Sequence, residues 1–159
     1  MQTFLPERSY VKCAQVLDTK RLVKQLLEGR QIMSALCGES RGWINHPATR
    51  MWNNYEHELY EYLMEIMLEM KTRGYKTENN WSQIHRMFVT YIVERPYIKP
   101  SWSRDPVHDF IIVTHRGMLH EKAPELYPQY EFDAQVFRNY VCCDKCNYYW
   151  PTHSSEYFV

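Results

Sequence analysis

Residues 47–74, PATRMWNNYEHELYEYLMEIMLEMKTRG, decide the fold class. Met51, Trp52, Tyr55, Leu59, Tyr62, Leu63, Ile66, Met67 and Met70 recur at spacings of three and four, the period of a helix with one buried face. Pro47 stands where a first helical residue is favoured, and Gly74 follows a basic last turn as a C-terminal glycine. The spacing predicts one long amphipathic helix from Pro47 to Gly74. Its methionines (Met51, Met64, Met67, Met70) read as core packing.

Working outward, residues 18–37, DTKRLVKQLLEGRQIMSALC, form a second helix that Asp18 can cap and Gly38 ends. At about 100° per residue, Leu22, Val23, Leu26, Leu27 and Met33 share one face, and Arg21, Lys24, Gln25, Glu28 and Gln31 share another. Glu28 is the lone acid on that polar stripe, one turn from Lys24 and two from Arg21. Spacing alone describes a solvated face with an ion pair of about 0.2–0.5 kcal/mol. Ser9 can cap a short helix over residues 10–16, and GESRGW after Cys37 is a loop.

Towards the C-terminus, Trp81–Glu94 repeats at helical period until Pro96 stops it, and RPYIKPSWSRD is a proline-broken loop. Asp105-Pro106 reads as a cap and first-turn proline for a last long helix over residues 106–122, which Pro124 ends. YPQYEF and YVCCDKCNYYWP then make an aromatic, turn-rich tail, and no stretch alternates as a strand would. The expectation is an all-α protein: a single compact domain over residues 1–159, of three main helices plus shorter helices and an aromatic, irregular C-terminal tail.

A chain of 159 residues with 45% apolar side chains and five glycines can bury a core as one domain. No apolar run approaches membrane-spanning length, and MQTFLPER lacks the pattern of a secretory signal, so a cytoplasmic location in a bacterial or phage-infected cell is expected. Nineteen basic and nineteen acidic side chains cancel, which argues against binding nucleic acid by bulk charge. The charges are nevertheless segregated. Residues 1–50 hold eight Lys/Arg against four acids, whereas residues 56–69 hold five Glu and no Lys or Arg.

Five cysteines in this setting do not read as a disulfide framework; Cys13 and Cys37 fall in helical patterns as small buried hydrophobes. Cys143-x-x-Cys146, with Cys142 and His153 nearby, has one metal-like spacing but no second C-x-x-C, and adjacent cysteines fit a tetrahedral site poorly. His108, His115 and His120, spaced by seven and five, make no metal face and read as surface or site-lining residues. No metal or other cofactor is expected.

Taken in order, MQTFLP (1–6), VLDTKRLVKQLLEGRQI (16–32), GWINHPATRMW (42–52), KTRGYK (71–76), HRGMLHEKAPELY (115–127) and the closing YYWP (148–151) resemble the pyrimidine-dimer DNA glycosylase family. The resemblance covers most of the chain and is weakest between Thr77 and Ile98. It implies a compact three-helix fold and two linked reactions: N-glycosidic cleavage at a damaged pyrimidine, then strand scission at the abasic site. It also implies that the N-terminal α-amine is the nucleophile, here that of Met1, and that Glu28 is the assisting carboxylate. Residue 2 is the bulky Gln, so Met1 is expected to be retained. Arg21, Lys24, Gln25, His46, Arg50, Arg116 and Lys122 are the implied DNA-binding set, although His46 also suits a cap on the helix after it. The implied partner is double-stranded DNA carrying a damaged or modified pyrimidine, met by a monomer with no membrane involved. Tyr127, Tyr130 and Trp150 are placed to support an extruded nucleotide.

The chemistry is sound on its own terms. An α-amine has a pKa near 8, so an appreciable fraction is a free nucleophile near neutrality. A different class of function is a non-catalytic nucleic-acid- or protein-binding module on the same scaffold, which the neutral charge and Gln2 favour. The same chemistry on a hypermodified pyrimidine is a third.

Overall fold

The computed structural model describes residues 2–140 and 149–151. Cys142, Cys143, Cys146 and His153, the cysteine-rich cluster of the tail, lie outside the described residues, as does Met1. Seven α-helices occur among the described residues: α1 (Tyr10–Val16), α2 (Thr19–Leu36), α3 (Pro47–Trp52), α4 (Glu56–Thr72), α5 (Glu78–Tyr91), α6 (Val107–Lys122) and α7 (Glu131–Tyr140). No strand is found among these residues, so the class is all-α. The helices α2 and α4 cross at the centre, α1 and α5 flank them, and α6 carries α7.

Local chemistry explains most boundaries. The Asp18 carboxylate accepts from the backbone N–H of Arg21 and caps α2. Gly38 (φ 76°) and Gly74 (φ 82°) take the left-handed conformation that closes α2 and α4. Gly29 has a different purpose. A Cβ there would overlap the Leu63 side chain, whose Cγ would lie only 3.1 Å away, so the missing side chain lets α2 and α4 meet closely.

Three expected element boundaries need correction. The long helix expected from Pro47 to Gly74 is two helices, because Asn54 adopts φ 68° and breaks the run between Trp52 and Glu56. The tail is partly helical. Glu131 and Asp133 in the first turn and Arg138 in the last give α7 charges of the right sign for its dipole, and Ala134 is fully buried. At α6, Pro106 is the N-cap and Asp105 caps nothing; its carboxylate pairs with Arg8 instead at 2.6 Å.

The core is continuous around Trp52, Tyr62, Leu26, Leu63 and Ile66. Trp52 lies 5.2 Å edge-on from Trp102 and 5.8 Å from Tyr62 between ring centroids. Met51, Met67 and Met70 are buried as expected of packing methionines, while Met64 is half-buried. On α2 the buried arc differs from the expected one. Val23 and Leu27 are exposed, whereas Gln25 (1% exposed) and Glu28 (8%) are buried. The polar pair is inside because the N-terminal segment of the chain lies against it and brings backbone N–H groups that need acceptors.

Candidate active site

Residues 2–6 have no regular secondary structure, yet each is held by a side chain from a different place in the sequence. The backbone N–H of Gln2 donates to Glu28 Oε2 at 3.0 Å. Trp52 Nε1–H donates to Thr3 Oγ1 at 2.9 Å. The N–H of Phe4 donates to Gln25 Oε1 at 2.8 Å, and the Tyr62 hydroxyl is shared between that oxygen and the Phe4 carbonyl, at 2.9 and 3.1 Å. The N–H of Leu5 donates to His115 Nδ1 at 2.8 Å, and Arg116 Nε donates to the Pro6 carbonyl at 2.7 Å. All five residues are buried. Satisfying buried backbone groups one by one from side chains fixes the register of the segment as firmly as a ladder would.

This clamp ends at Glu28. Its Oε1 lies 3.7 Å from Lys24 Nζ, which is 65% exposed, so the carboxylate faces protein on one side and a solvated cation on the other. Lys122, at the end of α6, joins them. Its ammonium pKa is lowered by burial first, then by the cations Lys24 and Arg21, with Glu28 acting in the opposite direction. Helices α2 and α6 therefore bring Lys24 and Lys122 to the Glu28 carboxylate, with Arg21 close to Lys122, an arrangement suited to phosphates flanking a reacting sugar.

Two side-chain carboxamides of the clamp are also buried. Gln2 Nε2 and Oε1 and Gln25 Nε2 have no hydrogen-bond partner among the described residues. His115 is fully buried, its pKa lowered to about 3 by desolvation, so it is neutral and its Nδ1 is free to accept from Leu5. Of the two expectations for His115, surface or site-lining, burial removes the first: the ring is a buried tether of the N-terminal segment.

The remaining implied site residues divide. Arg21 pairs with Asp18 at 2.6 Å and lies over the Tyr127 ring at 5.3 Å, so its charge already has partners within the protein. Arg116 holds Pro6, pairs with Glu7 at 2.5 Å and lies over Tyr130. Gln25 is a buried anchor and not part of an exposed stripe. Arg50 is exposed and Lys24 largely so. His46 caps α3, its Nδ1 accepting from the Ala48 N–H at 3.1 Å. Burial lowers the His46 pKa, and its ring meets Trp43 and Trp150 edge-on. Tyr127 and Tyr130 are buried and stacked on each other, which removes them as supports for an extruded nucleotide. No cluster of three His, Cys, Asp or Glu capable of holding a metal occurs among the described residues.

A family model described as pyrimidine dimer DNA glycosylase matches residues 1–83, just over half of the 159. The chain belongs to the pyrimidine dimer DNA glycosylase family. The matched stretch contains the clamped segment, Gln25 and Glu28 on α2, Trp52 on α3 and Tyr62 on α4. His115, Arg116 and Lys122 on α6 lie beyond it. No curated protein and no solved structure matches the chain. No helix among the described residues is long and apolar enough to cross a membrane.

Sequence reading missed Thr3, Trp52, Tyr62 and His115 as site-building residues. Each acts on backbone 49 to 110 positions away or on a side chain at that distance, and periodicity carries no signal of that kind.

Proposed function

We propose that the chain is a DNA N-glycosylase and abasic-site lyase acting on double-stranded DNA with a damaged or modified pyrimidine. In this reading Met1 supplies the amine, Glu28 the assisting carboxylate, and Lys24, Lys122 and Arg50 the phosphate contacts. The observation that carries it is the Gln2 N–H bond to Glu28 at 3.0 Å. Covalent geometry keeps the α-amine of the preceding residue within about 4 Å of that nitrogen, so amine and carboxylate are tethered together.

The neutral amine attacks C1′, forming an N–C1′ bond as the C1′–base bond breaks, and the base leaves with the electron pair and a proton. The sugar ring opens as O4′ takes a proton, giving an iminium at C1′. Glu28 then removes a C2′ proton; the electrons form the C1′–C2′ enamine and expel the 3′ phosphate oxygen by β-elimination. Hydrolysis of the imine releases the enzyme. A chain shortened to begin at Gln2 would place an amine beside Glu28, but that amine also attacks its own carboxamide, expelling ammonia and ending as unreactive pyroglutamate. Retention of Met1 keeps the nucleophile alive.

Borohydride reduction during reaction with DNA carrying a cyclobutane dimer or an abasic site tests the reading, the expected product being a covalent protein–DNA adduct through the N-terminus. No adduct with either DNA sinks it. The neutral total charge and the internal engagement of Arg21 and Arg116 favour a second reading, a non-catalytic DNA-binding module. That module would bind DNA equally well with Glu28→Gln and trap nothing. The protein is proposed to work as a monomer in the cytoplasm of a bacterial or phage-infected cell.

A further inference from the structure

Between α2 and α3 the chain passes through residues 38–46, and at their centre two large apolar side chains face outward in succession. Trp43 is 55% exposed and Ile44 44%. Trp43 also holds φ at 67°, in the left-handed region that a bulky side chain disfavours, directly after a glycine that would adopt it freely. The outward pose is nonetheless fixed. The His46 N–H donates to the Trp43 carbonyl at 2.9 Å, and the indole lies edge-on to the His46 imidazole at 5.6 Å. That imidazole is itself anchored on α3 by its cap bond to Ala48.

The surroundings are cationic. Arg41 and Arg50 are exposed on either side in sequence, and neither makes an ion pair among the described residues. The nearby acid, Glu39, is neutralised by a two-point bond from Arg86 at 2.6 and 2.8 Å. Trp43 also borders a cleft of about 280 Å³ whose other walls are Arg30, Gln31 and Ser34 of α2, the turns that follow Glu28, and Gln83 and Arg86 of α5. An apolar tip flanked in sequence by two exposed arginines does not suit an aqueous loop, and it complements a stack of bases between two phosphate strands.

The reaction supplies the need. Glu28 is recessed, at 8% exposure, and a sugar within a duplex reaches such a group only if the stack at the lesion opens. The gap so formed is costly unless something apolar and flat fills it. We propose that Trp43 and Ile44 form a wedge that enters the base stack of duplex DNA where it is opened at the lesion, with Arg41 and Arg50 on the flanking phosphates. The proposal rests on the enzyme reading above for its substrate but makes a separate claim, about strand opening.

The test compares the wild type with Trp43→Ala and Trp43→Phe on a cyclobutane dimer in duplex and in single-stranded DNA, with 2-aminopurine beside the lesion reporting unstacking. Trp43→Ala is expected to lower the ratio of duplex to single-strand cleavage by roughly tenfold or more and to abolish the fluorescence rise on duplex binding. Trp43→Phe is expected to restore most of both, since a ring still stacks. Circular dichroism confirms that each variant is folded. An equal fall on both DNA forms, or an unchanged ratio and fluorescence, overturns the wedge. Were the wild type to cleave neither DNA, the enzyme reading would fall, while a fluorescence rise that depends on Trp43 would still uphold the wedge and its absence would overturn it.

Discussion

Residues 2–6 and residues 39–46 are both non-helical, and both border α2, one along its middle turns and the other beyond its C-terminal end. Residues 2–6 are buried and fixed by Glu28, Gln25, Trp52, Tyr62, His115 and Arg116. Residues 39–46 turn outward, with backbone strain at Trp43; apart from the Glu39 pair with Arg86 at the start of the segment, the bonds are short-range, such as the Gly42 N–H donating to Ser40 Oγ at 3.2 Å. Lack of regular structure therefore has two opposite meanings in one molecule. In the first segment order is imposed from outside, as the proposed amine chemistry requires; in the second an apolar tip is left on the surface.

Substitutions in the two segments should accordingly differ in size and even in sign. The largest effect is expected where the clamp meets chemistry: Glu28→Gln should lower imine-dependent strand cleavage roughly 100- to 10,000-fold in a single-turnover assay. Because Gln can still accept from the Gln2 N–H, the melting temperature should move little. A large loss of stability without loss of cleavage would make Glu28 merely a tether.

Next comes Gln25→Ala, which strands the buried Phe4 N–H and half the bonding of Tyr62, at about 1–3 kcal/mol for each group left unpaired. Urea denaturation should show that loss, and cleavage should fall with it as the N-terminal segment loosens. Gly29→Ala should cost about 1–3 kcal/mol by forcing Leu63 aside, despite the better helix propensity of alanine.

The His115 tether gives a pH signature. Its pKa is lowered to about 3 in the fold against about 6.5 when unfolded, so the unfolded chain binds the extra proton between those values. Above about pH 6.5 this group contributes no slope; as pH falls from there towards about 3, stability should drop by up to about 1.4 kcal/mol per unit. Melting curves of wild type and His115→Asn across that window check it, since the variant should lack this contribution to the slope. The smallest effect, with the opposite sign, belongs to the loop. Trp43→Gly should raise stability by about 1 kcal/mol by relieving the left-handed backbone. A destabilised Trp43→Gly would show that the loop is held by packing after all and would erase the contrast.

Much of the fold was legible because it is written locally. Asp18, Gly38, Gly74 and the three- and four-residue spacings of α4 mark their elements without reference to anything distant. Where Asn54 splits a periodic run, the hydrophobic pattern continues across the break and hides it. The face of α2 was misread for a physical reason: Gln25 and Glu28 are inside because they serve the backbone of residues 2 and 4, a partner that helical periodicity cannot reveal. The role proposed for Glu28 rests on the ordered motifs around it, as its spacing from Lys24 is that of any surface pair.

The bond from Leu5 to His115 spans 110 residues. During synthesis, then, residues 2–6 wait exposed while five helices emerge, and the clamp closes only once α6 has left the ribosome. A contact of that sequence separation also bears the full loop-closure penalty, which places docking of the segment late in folding. The stretch that precedes every other element of this chain is thus among the last to find its place.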